Sequence, residues 1–176
     1  MIKNNIAIIS TEFGWISAKV GAQTQANYLI REILLLDMLG QPIISLYTLT
    51  DSSAVGEYGL YTGTWGNLQP QQSAIAVKEL IDELGDYYFV DRLTTNDNDY
   101  VLRYQNNVGQ EKIVYWTAAE PHAVNINGQS INLTETPQYM STVMRSLVLP
   151  KLVGQPVDQQ LALMTSNYNS VVVRLN

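Results

Sequence analysis

The first half of the chain alternates between short apolar runs and longer segments with helical periodicity. Residues 6–10 form an apolar run, which is typical of a strand buried on both faces of a parallel sheet. Residues 23–39 carry apolar side chains three or four positions apart and are followed by a glycine, so they predict an amphipathic helix. The run "PIISLYTL" predicts a second buried strand, residues 50–68 a long Gly-, Ser- and Tyr-rich loop, and residues 70–85 a second helix that begins at a proline and ends at a glycine.

After Asp86 the pattern changes to short strand-like segments separated by clusters of Asn, Asp and Gly, which are typical of hairpin loops. The pair Asn127 and Gly128 lies between alternating apolar residues and is a strong local signal for a hairpin. We therefore expect residues 87–176 to form a small antiparallel β-sandwich or barrel. Its candidate strands are "YYFVDRL", "YVLRYQ", "KIVYWTA", "AVNI", "QSINLT", "QYMS" and "SVVVRL".

Charge and composition exclude several classes of partner. The chain has a net charge of -6, and its ten Lys and Arg residues form no basic cluster, so we expect no nucleic-acid partner. It contains no run of about 18 apolar residues, and its first ten residues lack the pattern of a signal peptide, so we expect no membrane partner. These features do not predict a cellular compartment.

The sequence also lacks the usual signals for metals and cofactors. It has no cysteine and one histidine, His122, which lies in a predicted turn, so a transition-metal site would depend on carboxylates alone. It contains no Gly-rich phosphate loop, no G-x-S-x-G elbow and no H-E-x-x-H motif. We therefore expect neither a metal nor a cofactor.

The order of the elements and their local sequences carry a resemblance to a known group of enzymes. The segments "IAIISTEFGW", "QANYLIREILL", "PIISLYTLTDS", "EYGLYTG" and "QPQQSAIAVKEL" resemble the C-terminal part of retaining (β/α)₈-barrel glycoside hydrolases, the clan of cellulases, xylosidases and iduronidases. The resemblance implies that residues 1–86 are the last two βα units of a partial (β/α)₈ (TIM) barrel and that residues 87–176 are the β-sandwich. Because two βα units cannot close a barrel, we expect an upstream barrel segment or a homo-oligomer to cover the open edge.

The same resemblance implies that Glu12, at the end of the first strand, is the catalytic nucleophile. The acid/base glutamate of the family has no counterpart in this chain, although retaining glycosidases need two carboxylates about 5 Å apart. Read from the sequence alone, Glu12 is either this nucleophile or a solvated charge at a strand end.

Five further residues are candidates for binding a carbohydrate, and each has a structural alternative. Tyr47 is either a sugar-binding aromatic or part of the packing, and Trp15 and Trp65 either stack on sugar rings or pack in their Gly-flanked loops. Asp51 and Glu57 either bind sugar hydroxyls, with acid catalysis a remoter role, or are loop-capping or solvated charges.

Two functional hypotheses follow, and both have a carbohydrate as the partner. In the first, the chain is a C-terminal fragment or split relative of a retaining glycoside hydrolase, incomplete as an enzyme by itself. In the second, it is a non-catalytic carbohydrate-binding or structural β-sandwich module with a remnant barrel segment.

Overall fold

The structure, a computed structural model, describes residues 8–142 with the exception of 55, 95 and 127, in a unit that ends at Thr142. The helices in this part of the chain are α1 (Ser17–Val20), α2 (Ala22–Met38) and α3 (Gln72–Leu84). No helix of the described residues is long and apolar enough to span a bilayer. The strands are β1 (Ser10–Phe13), β2 (Ile44–Leu46), β3 (Tyr61–Thr64), β4 (Asn67–Pro70), β5 (Tyr87–Arg92), β6 (Asp99–Asn106), β7 (Glu111–Thr117), β8 (His122–Ile126), β9 (Gln129–Leu133) and β10 (Gln138–Thr142).

These strands form four small sheets. β1 and β2 pair in parallel, with Ser10 opposite Ile44 and Phe13 opposite Leu46. β3 and β4 form one antiparallel hairpin and β8 and β9 another. The remaining strands form a four-stranded antiparallel sheet in the order β10, β7, β6, β5.

The main core lies between the two long helices and one face of the four-stranded sheet. The buried apolar positions of α2 and α3 pack against this sheet because that is where their side chains escape water. Ile75 and Ile81 of α3 stay more than half exposed. Tyr100 and Trp116 stack on neighbouring strands, with parallel rings 4.7 Å apart, and the Arg92 guanidinium lies 4.1 Å from the centre of the Tyr100 ring. The buried residues of this cluster are Ile30, Leu34, Leu80, Leu84, Leu102, Tyr104, Val114 and Trp116.

The opposite face of the four-stranded sheet has its own, smaller apolar cluster. Alternate residues of β6 and β7 point to this face, as the twofold period of a strand requires. There Val101 and Ile113 pack with Ile131 and Leu133 of β9. Both faces of the four-stranded sheet are therefore covered at β6 and β7, whereas Tyr88 and Val90 of β5 are exposed.

The predicted partial (β/α)₈ barrel followed by a β-sandwich is wrong, because the described residues form mainly small sheets with three helices. Periodicity showed that both helices have an apolar face, but the antiparallel sheet covers those faces, whereas a barrel would use parallel strands. β1 and β2 are the one parallel pair among the described strands. Ile8 and Ile9, predicted to lie in a buried strand, precede β1 and are 71% and 45% exposed.

Several local predictions are confirmed. The predicted first helix corresponds to α2, the second to α3, and the hairpin at residues 123–133 to β8 and β9. The predicted loop at residues 50–68 instead contains β3 and the start of β4. The candidate strand "SVVVRL" lies outside the described residues, and the predicted domain boundary at Asp86, between α3 and β5, stays a prediction.

A buried carboxylate ties the start of β6 to the start of β8. Asp99 is 4% exposed, and its Oδ2 lies 3.0 Å from Nε2 of His122. The Thr117 hydroxyl donates to Asp99 Oδ1 at 2.8 Å, and the Asn96 side-chain amide donates to Oδ2 at 2.8 Å. Burial raises the pKa of Asp99, but the hydrogen bonds from His122, Thr117 and Asn96 outweigh it and hold that pKa below its ordinary value of 3.8.

His122 is shifted in the opposite direction. Its contact with the Glu120 carbonyl oxygen, 2.8 Å from Nδ1, and then its hydrogen bond to Asp99 raise the pKa of His122 above its ordinary value of 6.5. A raised histidine pKa adds stability that is complete below pH 6.5 and is lost as the pH rises through the raised value. A lowered aspartate pKa adds stability that is present above pH 3.8 and is lost as the pH falls through the lowered value.

We therefore expect this pair to stabilise the fold most strongly between pH 3.8 and 6.5. Proton NMR of the single histidine measures its pKa directly, and that pKa should lie above 6.5. In Asp99→Asn it should move part of the way back, because the contact with Glu120 remains. An identical histidine pKa in the wild type and Asp99→Asn would show that the two side chains are not coupled.

Candidate functional site

Glu12 lies next to the last residue of β1 and lines an open cavity of about 430 Å³. The cavity is bounded by Glu12, Phe13, Gly14, Tyr47 and Tyr58, and we refer to it as the Glu12 cleft. The Glu12 side chain is exposed and forms no ion pair with any residue that the structure describes. A carboxylate in this setting is free to contact a bound molecule.

The parallel pairing of β1 and β2 builds the floor of the cleft. The backbone N–H of Tyr47 donates to the Phe13 carbonyl at 2.8 Å, which brings the ends of both strands together. A Cβ atom on Gly14 would lie 2.2 Å from the Tyr47 carbonyl oxygen and 3.3 Å from Cδ1 of Tyr58. The close approach of the two chains therefore requires glycine after Phe13.

Two tyrosines form the walls of the Glu12 cleft. The rings of Tyr47 and Tyr58 meet edge to face, with centres 5.5 Å apart and an angle of 76° between the planes. Aromatic rings with a polar hydroxyl at one end suit ligands that have both apolar faces and hydrogen-bonding edges, and sugars are such ligands. The predicted residues Glu12 and Tyr47 thus line one cavity together.

Glu57 is held against the start of α1. The Ser17 hydroxyl donates to Glu57 Oε2 at 3.1 Å, and the Ser17 backbone N–H donates to the Glu57 carbonyl at 2.9 Å. Glu57 lines a second cavity of about 640 Å³ together with Asp51. We refer to this as the Asp51 cavity.

Both carboxylate oxygens of Asp51 hold the loop that leads to β3. Oδ1 accepts from the Gly59 backbone N–H at 2.7 Å, and Oδ2 accepts from the side-chain amide of Gln71 at 2.8 Å. The same amide donates to the Gly59 carbonyl at 3.0 Å. This geometry favours the loop-capping alternative for Asp51, although its carboxylate also borders the Asp51 cavity.

The two predicted loop tryptophans differ in their surroundings. Trp15 packs edge to face on Phe13, with ring centres 6.0 Å apart, and on Tyr28 of α2 at 5.4 Å. Trp65 lies in the turn between β3 and β4 and is 85% exposed. Neither ring lines the Glu12 cleft or the Asp51 cavity.

One wall of the Glu12 cleft was absent from the residues selected in the sequence. Tyr58 lies within the quoted segment "EYGLYTG", but it is not among the residues predicted to bind a carbohydrate. Its position in that motif was the feature of the sequence that could have identified Tyr58 as a cleft residue. Its contact with Tyr47 depends on the path of the loop, which the motif does not encode.

The described residues contain no group of three or more His, Asp or Glu side chains that could hold a metal ion. Neither a protein-family model nor a curated protein matches the chain. The resemblance to retaining glycoside hydrolases therefore rests on the sequence segments quoted above.

Proposed function

We propose that this chain carries the nucleophile of a retaining glycoside hydrolase site and that Glu12 is that nucleophile. The observation that carries the proposal is the exposed Glu12 carboxylate at the end of a parallel strand, in an open cleft walled by Tyr47 and Tyr58. The proposal does not require a barrel. It requires that the cleft accept a sugar ring with its anomeric carbon facing Glu12.

The chemistry assigns a clear role to this carboxylate. An oxygen of Glu12 forms a bond to the anomeric carbon while the bond from that carbon to the leaving-group oxygen breaks, and a second carboxyl group protonates the leaving oxygen. Water then releases the sugar from Glu12. One tyrosine ring would stack on the apolar face of the sugar, and the other, nearly perpendicular to it, would border the sugar and exclude water from one side of the reacting bond.

The second carboxyl group belongs, in this proposal, outside the described residues. Both oxygens of Asp51 accept hydrogen bonds from the loop that they hold, and Oε2 of Glu57 accepts one from Ser17. Residues engaged in this way hold their own loop together and are poorly placed to deliver a proton. A longer chain or a second copy would supply the acid.

The test uses a substrate that needs no acid. In a fluorinated dinitrophenyl glycoside, the dinitrophenolate leaves without being protonated. The fluorine slows the later release of the sugar from the protein, so the covalent intermediate accumulates. We expect one equivalent of dinitrophenolate, a mass increase of one fluorosugar, and the sugar attached to the peptide that contains Glu12. A panel of glucose, xylose, galactose and mannose derivatives identifies the preferred ring. Failure of every sugar to label the chain, or labelling at another residue, would overturn the proposal.

A non-catalytic carbohydrate-binding function is the second candidate, and the exposed ring of Trp65 favours it. An aromatic plane that is 85% exposed at a hairpin tip can stack on a sugar without any nucleophile. This function predicts glycan binding that Trp65→Ala abolishes and Glu12→Gln leaves intact. Fluorescence titration with oligosaccharides distinguishes it from the first proposal.

A further inference from the structure

A single buried amide connects the two sides of the Glu12 cleft. Gln25 lies in the first turns of α2 and is 1% exposed. Its Nε2 atom donates to the carbonyl of Trp15 at 2.8 Å and to the carbonyl of Glu57 at 3.2 Å. These carbonyls belong to the segment that follows β1 and to the loop that precedes β3.

Both acceptors lie close in sequence to residues of the cleft. Trp15 directly follows Gly14, which forms part of the cleft floor, and Glu57 directly precedes Tyr58, which forms a wall. A shift of either carbonyl therefore moves one side of the cleft relative to the other. The Ser17 N–H also donates to the Glu57 carbonyl, so the same oxygen joins the start of α1 to this connection.

The two carbonyl acceptors explain why a glutamine suits position 25. A glutamine amide has two N–H groups on one nitrogen, and here both have a carbonyl to reach. Its Oε1 atom is buried and has no hydrogen-bond partner within the described part of the chain. A buried acceptor without a partner is unfavourable, and an apolar side chain of similar length would avoid it. The amide N–H groups thus have acceptors in the two carbonyls, whereas the amide oxygen has no donor among the residues that the structure describes.

We infer that Gln25 is a positioning residue that sets the distance between the strand carrying Glu12 and the tyrosine wall carried by the loop before β3. The inference rests on the proposed function where it concerns reaction at Glu12. The structural part, a connection between two segments through one amide, can be tested without any sugar. The experiment therefore has two arms.

The first arm measures local opening by amide hydrogen exchange. Gln25→Met keeps the length of the side chain and removes both donors, and Gln25→Asn keeps the amide but shortens its reach. The Ser17 amide, bonded to the Glu57 carbonyl, reports on the connection, and the Gly59 amide, bonded to Asp51, reports on the remainder of the loop. We expect exchange at Ser17 to accelerate by about tenfold or more while that at Gly59 changes by less than about threefold.

The second arm measures labelling of Glu12 by the activated fluoroglycoside. We expect both Gln25 variants to lower kinact/KI by about tenfold to 100-fold, mainly through kinact, because small displacements of reacting groups are costly while the tyrosine side chains that contact the sugar remain. Gln23→Met, an exposed glutamine of the same helix, is the matched control and should label at the wild-type rate.

The outcomes separate this inference from the proposed function. If the wild type is not labelled at Glu12, the proposed function fails, and the exchange arm still decides whether Gln25 joins the two segments. Equal acceleration at Ser17 and Gly59 would show general loosening and overturn the positioning role. Unchanged exchange at Ser17 in both variants would also overturn the positioning role. So would labelling at the wild-type rate in a variant whose Ser17 amide exchanges faster.

Discussion

Glu12→Gln is expected to reduce covalent labelling by the activated fluoroglycoside by about 1000-fold or more, since removal of a catalytic nucleophile typically has effects of this size or larger. The glutamine side chain has nearly the same shape, but its amide does not attack an anomeric carbon. Glu12 is exposed and has no ion-pair partner in the part of the chain that the structure describes, so the free energy of unfolding should change by less than about 0.5 kcal/mol. Release of dinitrophenolate gives the rate, and urea unfolding gives the stability.

Glu57→Gln is the matched control for this substitution. Glu57 lines the neighbouring Asp51 cavity, and its replacement amide retains an oxygen that can accept the Ser17 hydrogen bond. Labelling of Glu57→Gln should stay within about threefold of the wild type, because removing a carboxylate that does not take part in the attack leaves the barrier almost unchanged. Equal labelling of the wild type and Glu12→Gln would exclude Glu12 as the nucleophile.

Gly14→Ala is expected to lower the free energy of unfolding by about 3 kcal/mol, at the upper end of the usual cost of overpacking. The added methyl would lie 2.2 Å from the backbone oxygen of Tyr47, and a backbone oxygen cannot turn aside as a flexible side chain can. β1 and β2 must therefore separate, which also breaks the hydrogen bond from the Tyr47 N–H to Phe13. Urea unfolding of the variant measures the loss.

Gly40→Ala separates this collision from the ordinary cost of replacing glycine. Gly40 follows α2 with a φ of 70°, and a Cβ atom there meets nothing within 4 Å. Its replacement should cost only about 1 kcal/mol, from the left-handed backbone conformation. If the two variants lose the same stability, the contact between Gly14 and Tyr47 does not limit the approach of the strands.

The sequence predicted the elements better than it predicted their packing. The helical period that marks α2 and α3 and the turn signal between β8 and β9 are local properties, and the two helices and the hairpin form where they were expected. Which sheet covers a helix depends on contacts between distant residues. The apolar faces of α2 and α3 fit a parallel barrel and an antiparallel sheet equally well, so periodicity alone could not choose between them.

The sequence predicted some residues of the candidate site and missed others. Glu12 was selected because the resemblance implies a nucleophile at the end of the first predicted strand, and Tyr47 because it is an aromatic residue of the second predicted strand. The structure places both in one cavity. Tyr58 and Gln25 were missed. A glutamine in the first turns of an amphipathic helix is expected to face solvent, and the burial of Gln25 becomes visible only when the loops carrying its two acceptor carbonyls are in place.

The stacked rings of Tyr100 and Trp116 allow the four-stranded sheet and the Glu12 cleft to be followed by different optical signals. Two parallel aromatic rings 4.7 Å apart, rigidly held in the main core, should produce a strong near-ultraviolet circular dichroism signal that belongs to the four-stranded sheet. Trp15, next to the floor of the Glu12 cleft, lies outside this stack and contributes separately. Loss of order around the cleft would therefore change tryptophan emission while the dichroism of the sheet persists, and one sample could follow both regions during unfolding.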